Sequence, residues 1–203
     1  MKKVLISGFD AFGKSSSNPS LEIIQQLPSQ IGDFSICTLE IPTQAKRSVE
    51  ILKTKIEELQ PDYVINLGVA SGREAISIER IAINVDDFRI PDNAGEQPFD
   101  QAIEEEGQDG YFSNLSIKAL IKIMKEQGHS VILSNTAGTF VCNHVMYAMQ
   151  HLVHTKYPKM KTGFVHVPDI DEHHSLIAMV EAICCLVAHL DVEEIKSNEG
   201  QLW

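Results

Sequence analysis

The sequence predicts an α/β fold built in layers, and three observations lead to it. Short runs of β-branched residues alternate with longer amphipathic stretches, a pattern typical of a sheet covered by helices. The 203 residues match the length of one domain, and neither a repeat nor a linker divides them. With 43% hydrophobic and 22% charged residues, the composition is that of a globular protein. We therefore expect a single domain over 1–190 and a polar, loosely held tail over 191–203.

In the first part of the chain, turn-forming and capping residues delimit each element. Asn18 is suited to cap a helix, with Pro19 in its first turn, where no backbone donor is lost. Pro61 stops the next helix. The elements predicted here are strands at Lys3–Ser7, Phe34–Ile41 and Tyr63–Leu67, an extended stretch at Ile76–Val85, and a helix at Thr43–Leu59.

The middle of the chain, from Asp86 to Gly110, has no clean periodicity. A loop of this length inside a compact domain is usually functional or mobile. Beyond it, periodic patterns return and predict helices at Tyr111–Gln127, Thr139–Thr155 and Glu172–Leu190, with strands at Ser130–Ser134 and Thr162–Val167.

Charge and hydropathy exclude several classes of partner. The 17 Lys and Arg against 28 Asp and Glu give 17 − 28 = −11, which argues against a nucleic-acid binder. The longest apolar runs are far shorter than the ~20 residues that span a bilayer, and Val4–Gly8 is too short for the apolar part of a signal peptide. We expect a cytoplasmic protein with no membrane partner and with reduced cysteines.

A phosphate-binding loop is the first candidate site. Gly8–Ser15 matches the pattern GxxxxGK[ST] after a predicted strand. However, the following helix signal at Asn18-Pro19 comes several residues too late to present its amides to phosphate. Phe9 and Phe12 are also bulky where the backbone should wrap around phosphate, and they better suit the wall of an apolar ligand pocket. The match is interpreted as accidental, with a nucleotide-binding protein as the alternative.

A cluster of histidines and carboxylates from His166 to His174 is the second candidate, because such side chains can hold a divalent metal. Its spacing matches no named zinc pattern. Asp171, Glu172 and His173 also lie where a helix start favours anions and capping groups. A polar helix start is the favoured interpretation, and a metal-dependent hydrolase stays open as the alternative.

Cys142 is the third candidate, since it follows a strand and a turn and precedes a helical stretch. Amides at a helix N-terminus favour a thiolate and can lower the pKa of a cysteine. The other cysteines, Cys37, Cys184 and Cys185, fit packing positions in a strand and a helix.

A thiol nucleophile needs a base, and His166 is the histidine that interrupts an apolar strand near its carboxyl end. His144, His151 and His154 instead share one polar side of a helix. Alternation with period two sets Glu79 on one face with Ile81 and Ile83, where a carboxylate needs a partner. That partner is His166 in a catalytic interpretation, or Arg73 or Arg80 in a structural one.

Five segments in order resemble the type I pyroglutamyl peptidases, a family of cytosolic cysteine exopeptidases. Five motifs in the family's order are far more specific than any one of them, and they extend from residue 4 to about 190. They are Gly8–Gly13 with Asn18–Ser20, Gly72-Arg73 with Ile78–Asn84, Arg89–Asn93, Ser134–Asn143 and Gly163–Pro168. Val69 and Ala70 differ from the family's pattern.

The resemblance implies a three-layer α/β/α sandwich with a twisted, mostly parallel (mixed) central sheet, and hydrolysis of the amide bond after an N-terminal pyroglutamyl residue. It implies Cys142 as nucleophile, His166 as base and Glu79 as the orienting acid of a thioester mechanism without metal or cofactor. The pocket for the pyroglutamyl ring is expected at Phe9, Phe12, Asn18, Phe140 and Val141, with Arg89 near the oxyanion. The expected partners are pyroglutamyl peptides and further copies of the chain in a homotetramer.

Overall fold

A seven-stranded sheet forms the middle layer of the computed structural model, which describes residues 1–13 and 15–200. Its strand order is β2-β3-β1-β4-β9-β5-β8, and a separate two-stranded ladder joins β6 to β7. The strands are β1 Lys2–Phe9, β2 Gln30–Ile31, β3 Phe34–Ile41, β4 Tyr63–Val69, β5 Ile76–Glu79, β6 Ile81–Ile83, β7 Gly110–Phe112, β8 Val131–Ser134 and β9 Lys161–Val167.

The sheet is mostly parallel and mixed, as expected. Strands β3, β1, β4 and β9 run parallel to one another, and β5 runs parallel to β8. Strand β5 is antiparallel to β9, and the short β2 is antiparallel to β3. The direction of the chain therefore reverses between β9 and β5, and this reversal positions the candidate site.

Helices cover both faces of the sheet and complete three layers. One hydrophobic core lies between the sheet and α1, α3 and α5, and a second lies between the sheet and α2 and α4. The helices are α1 Pro19–Gln26, α2 Ala45–Leu59, α3 Ile117–Glu126, α4 Val141–Thr155 and α5 Leu176–Ala188. None of the helices in the described ranges has the length and apolar character needed to cross a bilayer.

Local sequence signals located several boundaries correctly. The strand predicted at Phe34–Ile41 has those bounds. Asn18 caps α1, because its side chain accepts a hydrogen bond from the backbone N–H of Ser20, and Pro19 occupies the first helical position. Capping and proline chemistry operate within a few residues, so the sequence alone contains these signals.

The helix predicted at Tyr111–Gln127 is wrong over its first third. Gly110–Phe112 forms β7 and pairs with β6, and the helix begins only at Ile117. Tyr111 is buried, and its apolar side chain fitted a helical period in the sequence. Its backbone partner, however, lies on β6. Long-range pairing overrode the local pattern here.

The extended stretch at Ile76–Val85 is interrupted at Arg80. Glu79 ends β5 in the large sheet, whereas Ile81 and Ile83 belong to the two-stranded ladder. Glu79 is fully buried and Ile83 is exposed, so the expected common face does not exist.

The last helix begins later than predicted, at Leu176 with Ser175 as its cap. Asp171 accepts hydrogen bonds from the backbone N–H groups of His173 and His174 in a turn before that helix. The anionic residues assigned to a helix start belong to this turn.

The polar tail is held more firmly than expected over its described residues. The Asp191 carboxylate accepts a hydrogen bond from the Tyr63 hydroxyl at 2.6 Å, and Glu194 accepts from the first-turn amides of Lys118 and Ala119. Glu194 thereby caps α3, a long-range contact that no local pattern reveals. Residues 201–203 of the predicted tail lie outside the described residues.

The loop that resembles a phosphate-binding motif does not lead directly into a helix. Strand β1 ends at Phe9 and α1 begins only at Pro19, so no helix begins directly after Ser15. This separation agrees with an accidental match. Lys14, part of that motif, lies outside the described residues.

Candidate active site

A buried carboxylate–imidazole pair lies on the sheet face covered by α4. Glu79 Oε1 is 2.7 Å from Nδ1 of His166, and the two residues are 0% and 3% exposed. Because the carboxylate accepts from Nδ1–H, Nε2 of the ring is the nitrogen without a proton in the neutral imidazole. That tautomer is the one suited to take a proton.

The sulfur of Cys142 lies over the same face. Gly68 of β4 is the Cα partner of His166 in β9, so both residues direct their substituents to one side of the sheet. A Cβ added to Gly68 would lie 3.0 Å from Cys142 Sγ and 2.8 Å from the Phe164 ring. The thiol and the imidazole therefore occupy adjacent positions on one face, although no hydrogen bond joins them among the described residues.

Thiol and imidazole do not meet at a shared edge of strand ends, as the sequence interpretation expected. Strand β8, which precedes Cys142, runs in the opposite direction to β9, which carries His166, because β5 is antiparallel to β9. Loop 135–140 brings the chain onto the sheet face before α4 begins at Val141. The site forms across the sheet face rather than in a crevice beyond parallel strand ends.

Burial raises the pKa of the Cys142 thiol to about 12. The Glu79 carboxylate adds to this rise, while Arg73 and the backbone amide of Cys142 act in the opposite direction. The backbone amide thus lowers the pKa as expected, but desolvation outweighs this effect and the net shift in the free protein is upward. At neutral pH the sulfur keeps its proton until a base takes it.

The N-terminus of α4 leaves donors available beside the thiol. Phe140 is the residue before the helix, and its side chain forms no capping hydrogen bond with the first turn. Asn143 instead turns outward to the two-stranded ladder, where its amide bonds the N–H and C=O of Ile83 and the C=O of Val85. Asn143 thus fixes the start of α4, and the N–H groups of the first turn can donate hydrogen bonds to an anion.

Arg73 completes the polar cluster. Its pairing with Glu79 was one of the two structural interpretations that the sequence left open. Its Nη1 donates to the same Glu79 oxygen that accepts from His166, also at 2.7 Å. Nη2 donates to the backbone carbonyl of Thr136 at 3.1 Å, in the loop that leads to the thiol. Glu79 therefore pairs with both Arg73, its structural partner, and His166, its catalytic partner.

Aromatic rings gather beside the N-terminus of α4. Phe12 and Phe140 are partly exposed, with ring centroids 5.3 Å apart, and Phe88 lies 4.6 Å from Phe140 on its other side. Phe9 is 2% exposed and contacts Phe164 instead, and Val141 is fully buried. Of the expected pocket residues, only Phe12 and Phe140 present accessible apolar surface together.

Asn18, expected in the pocket, and Arg89, expected near the oxyanion, have different surroundings. Asn18 is 4% exposed and uses its amide within the protein, accepting from Ser20 and donating to the Asp10 carbonyl. It anchors the loop that carries Phe12. Arg89 is exposed next to the buried Phe88 and forms no ion pair or hydrogen bond with the described residues.

The other histidine groups are occupied elsewhere. His144 is buried and its Nδ1 lies 2.7 Å from Asp86, so its predicted place on a polar helix side is wrong. His174 joins Asp171 to the carbonyl of Glu74. Within residues 1–13 and 15–200, no group of three His, Cys, Asp or Glu side chains is arranged to hold a metal ion.

A cavity of about 700 Å³ lies between α2 and the loop over residues 86–104. Phe88, Asp86 and His144 are among its lining residues, while Cys142 and His166 are not. Phe88 therefore both lines this cavity and contacts Phe140 at the start of α4.

Comparisons with known proteins agree with this arrangement. The pyroglutamyl peptidase family profile matches residues 2–196. A pyrrolidone-carboxylate peptidase of Fusobacterium nucleatum is 51% identical over 85% of this chain and 80% of its own length. One from Streptococcus suis is 43% identical over 98% of each chain.

Solved structures agree as well. The crystal structure of pyroglutamyl peptidase I from Bacillus amyloliquefaciens is 35% identical, covers 97% of this chain and 99% of that chain, and has a TM-score of 0.93. The pyrrolidone carboxyl peptidase from Thermococcus litoralis is 36% identical with the same coverage and TM-score. The match covers nearly the whole sequence, and it is accompanied by a three-layer fold with a mixed sheet, a buried Glu–His pair and an adjacent thiol. This chain belongs to the pyroglutamyl peptidase family.

Proposed function

We propose that this protein hydrolyses the amide bond after an N-terminal pyroglutamyl residue, with Cys142 as nucleophile, His166 as base and Glu79 as the residue that orients the imidazole. One observation carries the assignment: the Cys142 sulfur lies beside Gly68, the strand partner of His166, on the face that holds the Glu79–His166 pair. A nucleophile, a base and a group that orients the base are the components of covalent acyl transfer.

The first half of the reaction follows from the protonation states. Because burial favours the protonated form of the thiol, Nε2 of His166 takes its proton as Sγ bonds to the pyroglutamyl carbonyl carbon. The carbonyl oxygen becomes an oxyanion. The imidazolium then gives the proton to the leaving nitrogen, the C–N bond breaks, and the shortened peptide departs from a thioester.

Water completes the cycle. His166 takes a proton from a water molecule as the water oxygen bonds to the thioester carbon. The C–S bond then breaks and pyroglutamate is released. The imidazolium returns its proton to the sulfur, so the enzyme regains its starting state. No metal or cofactor enters either half, and each proton has a stated donor and acceptor.

Oxyanion stabilisation is assigned to the uncapped first turn of α4, which carries Cys142 itself. Backbone amides there point toward the N-terminal end of the helix, where negative charge is favoured. Removal of one such donor typically costs about 3 kcal/mol of transition-state stabilisation. Arg89, which is exposed and forms no ion pair or hydrogen bond with the described residues, is assigned an assisting role as the substrate binds.

Recognition of the pyroglutamyl ring is assigned to Phe12 and Phe140, with Phe9 and Val141 supporting them from the core. The ring is a flat lactam without a charged amine, so a pocket with apolar walls suits it. Asn18 supports this pocket indirectly, because it anchors the loop that carries Phe12.

Turnover of a fluorogenic pyroglutamyl amide tests this function. Wild-type protein should release the fluorophore, and Cys142→Ala and His166→Ala should each lose at least about 10³-fold in kcat. Cys37→Ala, at a partly exposed position in β3, is the matched control and should retain activity. Absence of wild-type turnover, or activity that survives in Cys142→Ala, would refute the proposal.

We also propose that the protein acts in the cytoplasm as a homotetramer. The family resemblance supports both statements, and the exposed apolar side chains of Ile83 and Phe112 on the two-stranded ladder are suited to contact another copy. Sedimentation velocity at micromolar concentration tests the assembly, and a single monomeric species would contradict it.

A further inference from the structure

Arg73 lies where it contacts both the pair that would activate the thiol and the loop that carries the thiol. Its guanidinium donates from Nη1 to Glu79 Oε1 at 2.7 Å and from Nη2 to the Thr136 carbonyl at 3.1 Å. A planar guanidinium holds two such acceptors in a fixed relative geometry, which a lysine ammonium cannot do. Arg73 thus connects the end of β5 to the segment between β8 and α4.

The loop containing Arg73 has a defined shape. Gly72 adopts a positive φ of 83°, a conformation that suits glycine, and the N–H of Arg73 bonds the carbonyl of Ala70. The N–H of Ala70 in turn bonds the carbonyl of Val167, next to His166. The side chain of Arg73 keeps 27% of its surface exposed while its partner Glu79 is fully buried.

Two side chains share one oxygen of the Glu79 carboxylate, and of these Arg73 carries the positive charge while His166 is a neutral hydrogen-bond donor. His166 and Arg73 both bond Oε1, and among the described residues they are the two groups within ion-pairing distance of Glu79. Without Arg73, the carboxylate would be a buried negative charge next to the imidazole and near the thiol. Such a charge favours the protonated form of each neighbouring group.

We propose that Arg73 is a positioning residue of the thiol-hydrolase reaction, holding the Glu79 carboxylate aligned with His166 Nδ1 while fixing the loop before Cys142. This inference rests on the proposed function, but it concerns a residue that touches neither substrate nor the reacting atoms. Its two contributions are separable: the positive charge affects the pH range in which the Cys142 thiol reacts, and the fork geometry sets the alignment of the thiol with His166.

Three variants separate charge from geometry. Arg73→Met removes both, Arg73→Lys keeps the charge without the fork, and Arg47→Met is the control, because Arg47 forms an exposed ion pair with Glu50 on α2. The first measurement is the rate of Cys142 alkylation by iodoacetamide from pH 5 to 10, which requires no peptidase activity. The second is the pH profile of kcat/KM with a pyroglutamyl amide.

We expect both Arg73→Met profiles to move to higher pH by about one unit, since loss of a nearby positive charge favours protonated forms. We expect Arg73→Lys to keep the wild-type position of the profiles but to lose about 10-fold to 10²-fold in kcat, the cost of a small misalignment. Arg47→Met should match wild type in both measurements.

Several results would overturn the inference. An Arg73→Met alkylation profile at the wild-type pH, with only its amplitude reduced, would make Arg73 structural. A wild-type kcat in Arg73→Lys would exclude a role for the guanidinium geometry. If Arg73→Met does not fold, Arg73→Lys alone tests the positioning role. If wild-type protein cleaves no pyroglutamyl amide, the proposed function fails, while the alkylation profiles still report on Arg73.

Discussion

Glu79 and His166 are 87 positions apart in the chain, and their side chains meet at 2.7 Å inside the protein. Both are almost completely buried, so each satisfies a polar group of the other that would otherwise be costly to bury. Strand β5 carries Glu79 and the neighbouring β9 carries His166, and the antiparallel register sets Ser77 opposite His166. Glu79, two residues beyond Ser77, therefore faces the same side of the sheet as the imidazole.

Replacing Glu79 by Gln should lower kcat by about 10² to 10⁴-fold with a smaller effect on KM. The amide can donate to Nδ1 and so favours the tautomer with its proton on Nε2, which cannot take the thiol proton. Steady-state kinetics with a pyroglutamyl amide, together with circular dichroism to verify folding, measures the effect. Folded Glu79→Gln protein with unchanged kcat would exclude the orienting role.

Replacing Gly68 by Ala should reduce both activity and stability. The new Cβ would lie 2.8 Å from the Phe164 ring and 3.0 Å from Cys142 Sγ, so the ring or the thiol must shift. We expect a loss of about 1–3 kcal/mol in the free energy of unfolding, as for other overpacked sites, and at least a tenfold loss in kcat. Gly200→Ala is the control, since among the described residues its Cβ would meet only Asn198, at an ordinary 3.4 Å. Wild-type activity in Gly68→Ala would contradict the position assigned to the thiol.

Specificity should depend on the accessible rings. Phe12→Ala and Phe140→Ala are each expected to lower kcat/KM for pyroglutamyl amides without preventing alkylation of Cys142. An N-terminal prolyl or glutamyl amide brings an uncompensated ammonium into an apolar pocket, so we expect at least ~10³-fold discrimination in favour of pyroglutamyl. Phe9→Ala, by contrast, should chiefly destabilise the fold by about 3–5 kcal/mol, because Phe9 is buried in the core. Comparable cleavage of prolyl amides would refute the pocket assignment.

The tail contributes a pH-dependent term to stability through Asp191. Its partners Lys2 and Tyr63 lower the pKa of the Asp191 carboxyl below the ordinary value of 3.8. A carboxyl group whose pKa is lower in the folded state stabilises the protein at pH values above its unfolded-state pKa. This contribution disappears as the pH falls through the folded-state pKa. The pair is about half exposed, so Asp191→Asn should cost only about 0.5 kcal/mol at pH 7.

Urea unfolding at pH 7 and pH 3 tests that term, because the difference between wild type and Asp191→Asn should shrink at the lower pH. Asp33→Asn is the control, as the Asp33 side chain has no hydrogen bond among the described residues. A difference that stays constant with pH would show that Asp191 acts without its charge.

Local signals allowed much of the fold to be predicted from the sequence. Asn18 and Pro19 located the start of α1, and the strand-forming residues of Phe34–Ile41 located β3, because capping and strand propensity depend on nearby residues. Tyr111 was assigned to a helix, and the reversal of direction between β9 and β5 was not foreseen, because both depend on which strands pair. Such pairing joins segments distant in the chain, which periodicity does not report.

The candidate site divides in the same way. Glu79 and His166 could be singled out because a charged or polar side chain interrupts each apolar strand. Gly68, Asn143 and Phe88 were missed, since a glycine in a strand, an asparagine in a helix and a phenylalanine in a loop have no distinctive local pattern. Their roles follow from contacts with Cys142, Ile83 and Phe140, which exist only in the folded chain.

A covalent intermediate on Cys142 is the central claim, and acid-quenched mass spectrometry of the enzyme during turnover of a pyroglutamyl ester tests it most directly. The account predicts a pyroglutamyl group in thioester linkage on the peptide containing Cys142, and no such adduct in Cys142→Ala. A chelator should change neither the adduct nor the turnover. Turnover that continues in Cys142→Ala, or that a chelator abolishes and added zinc restores, would contradict the account.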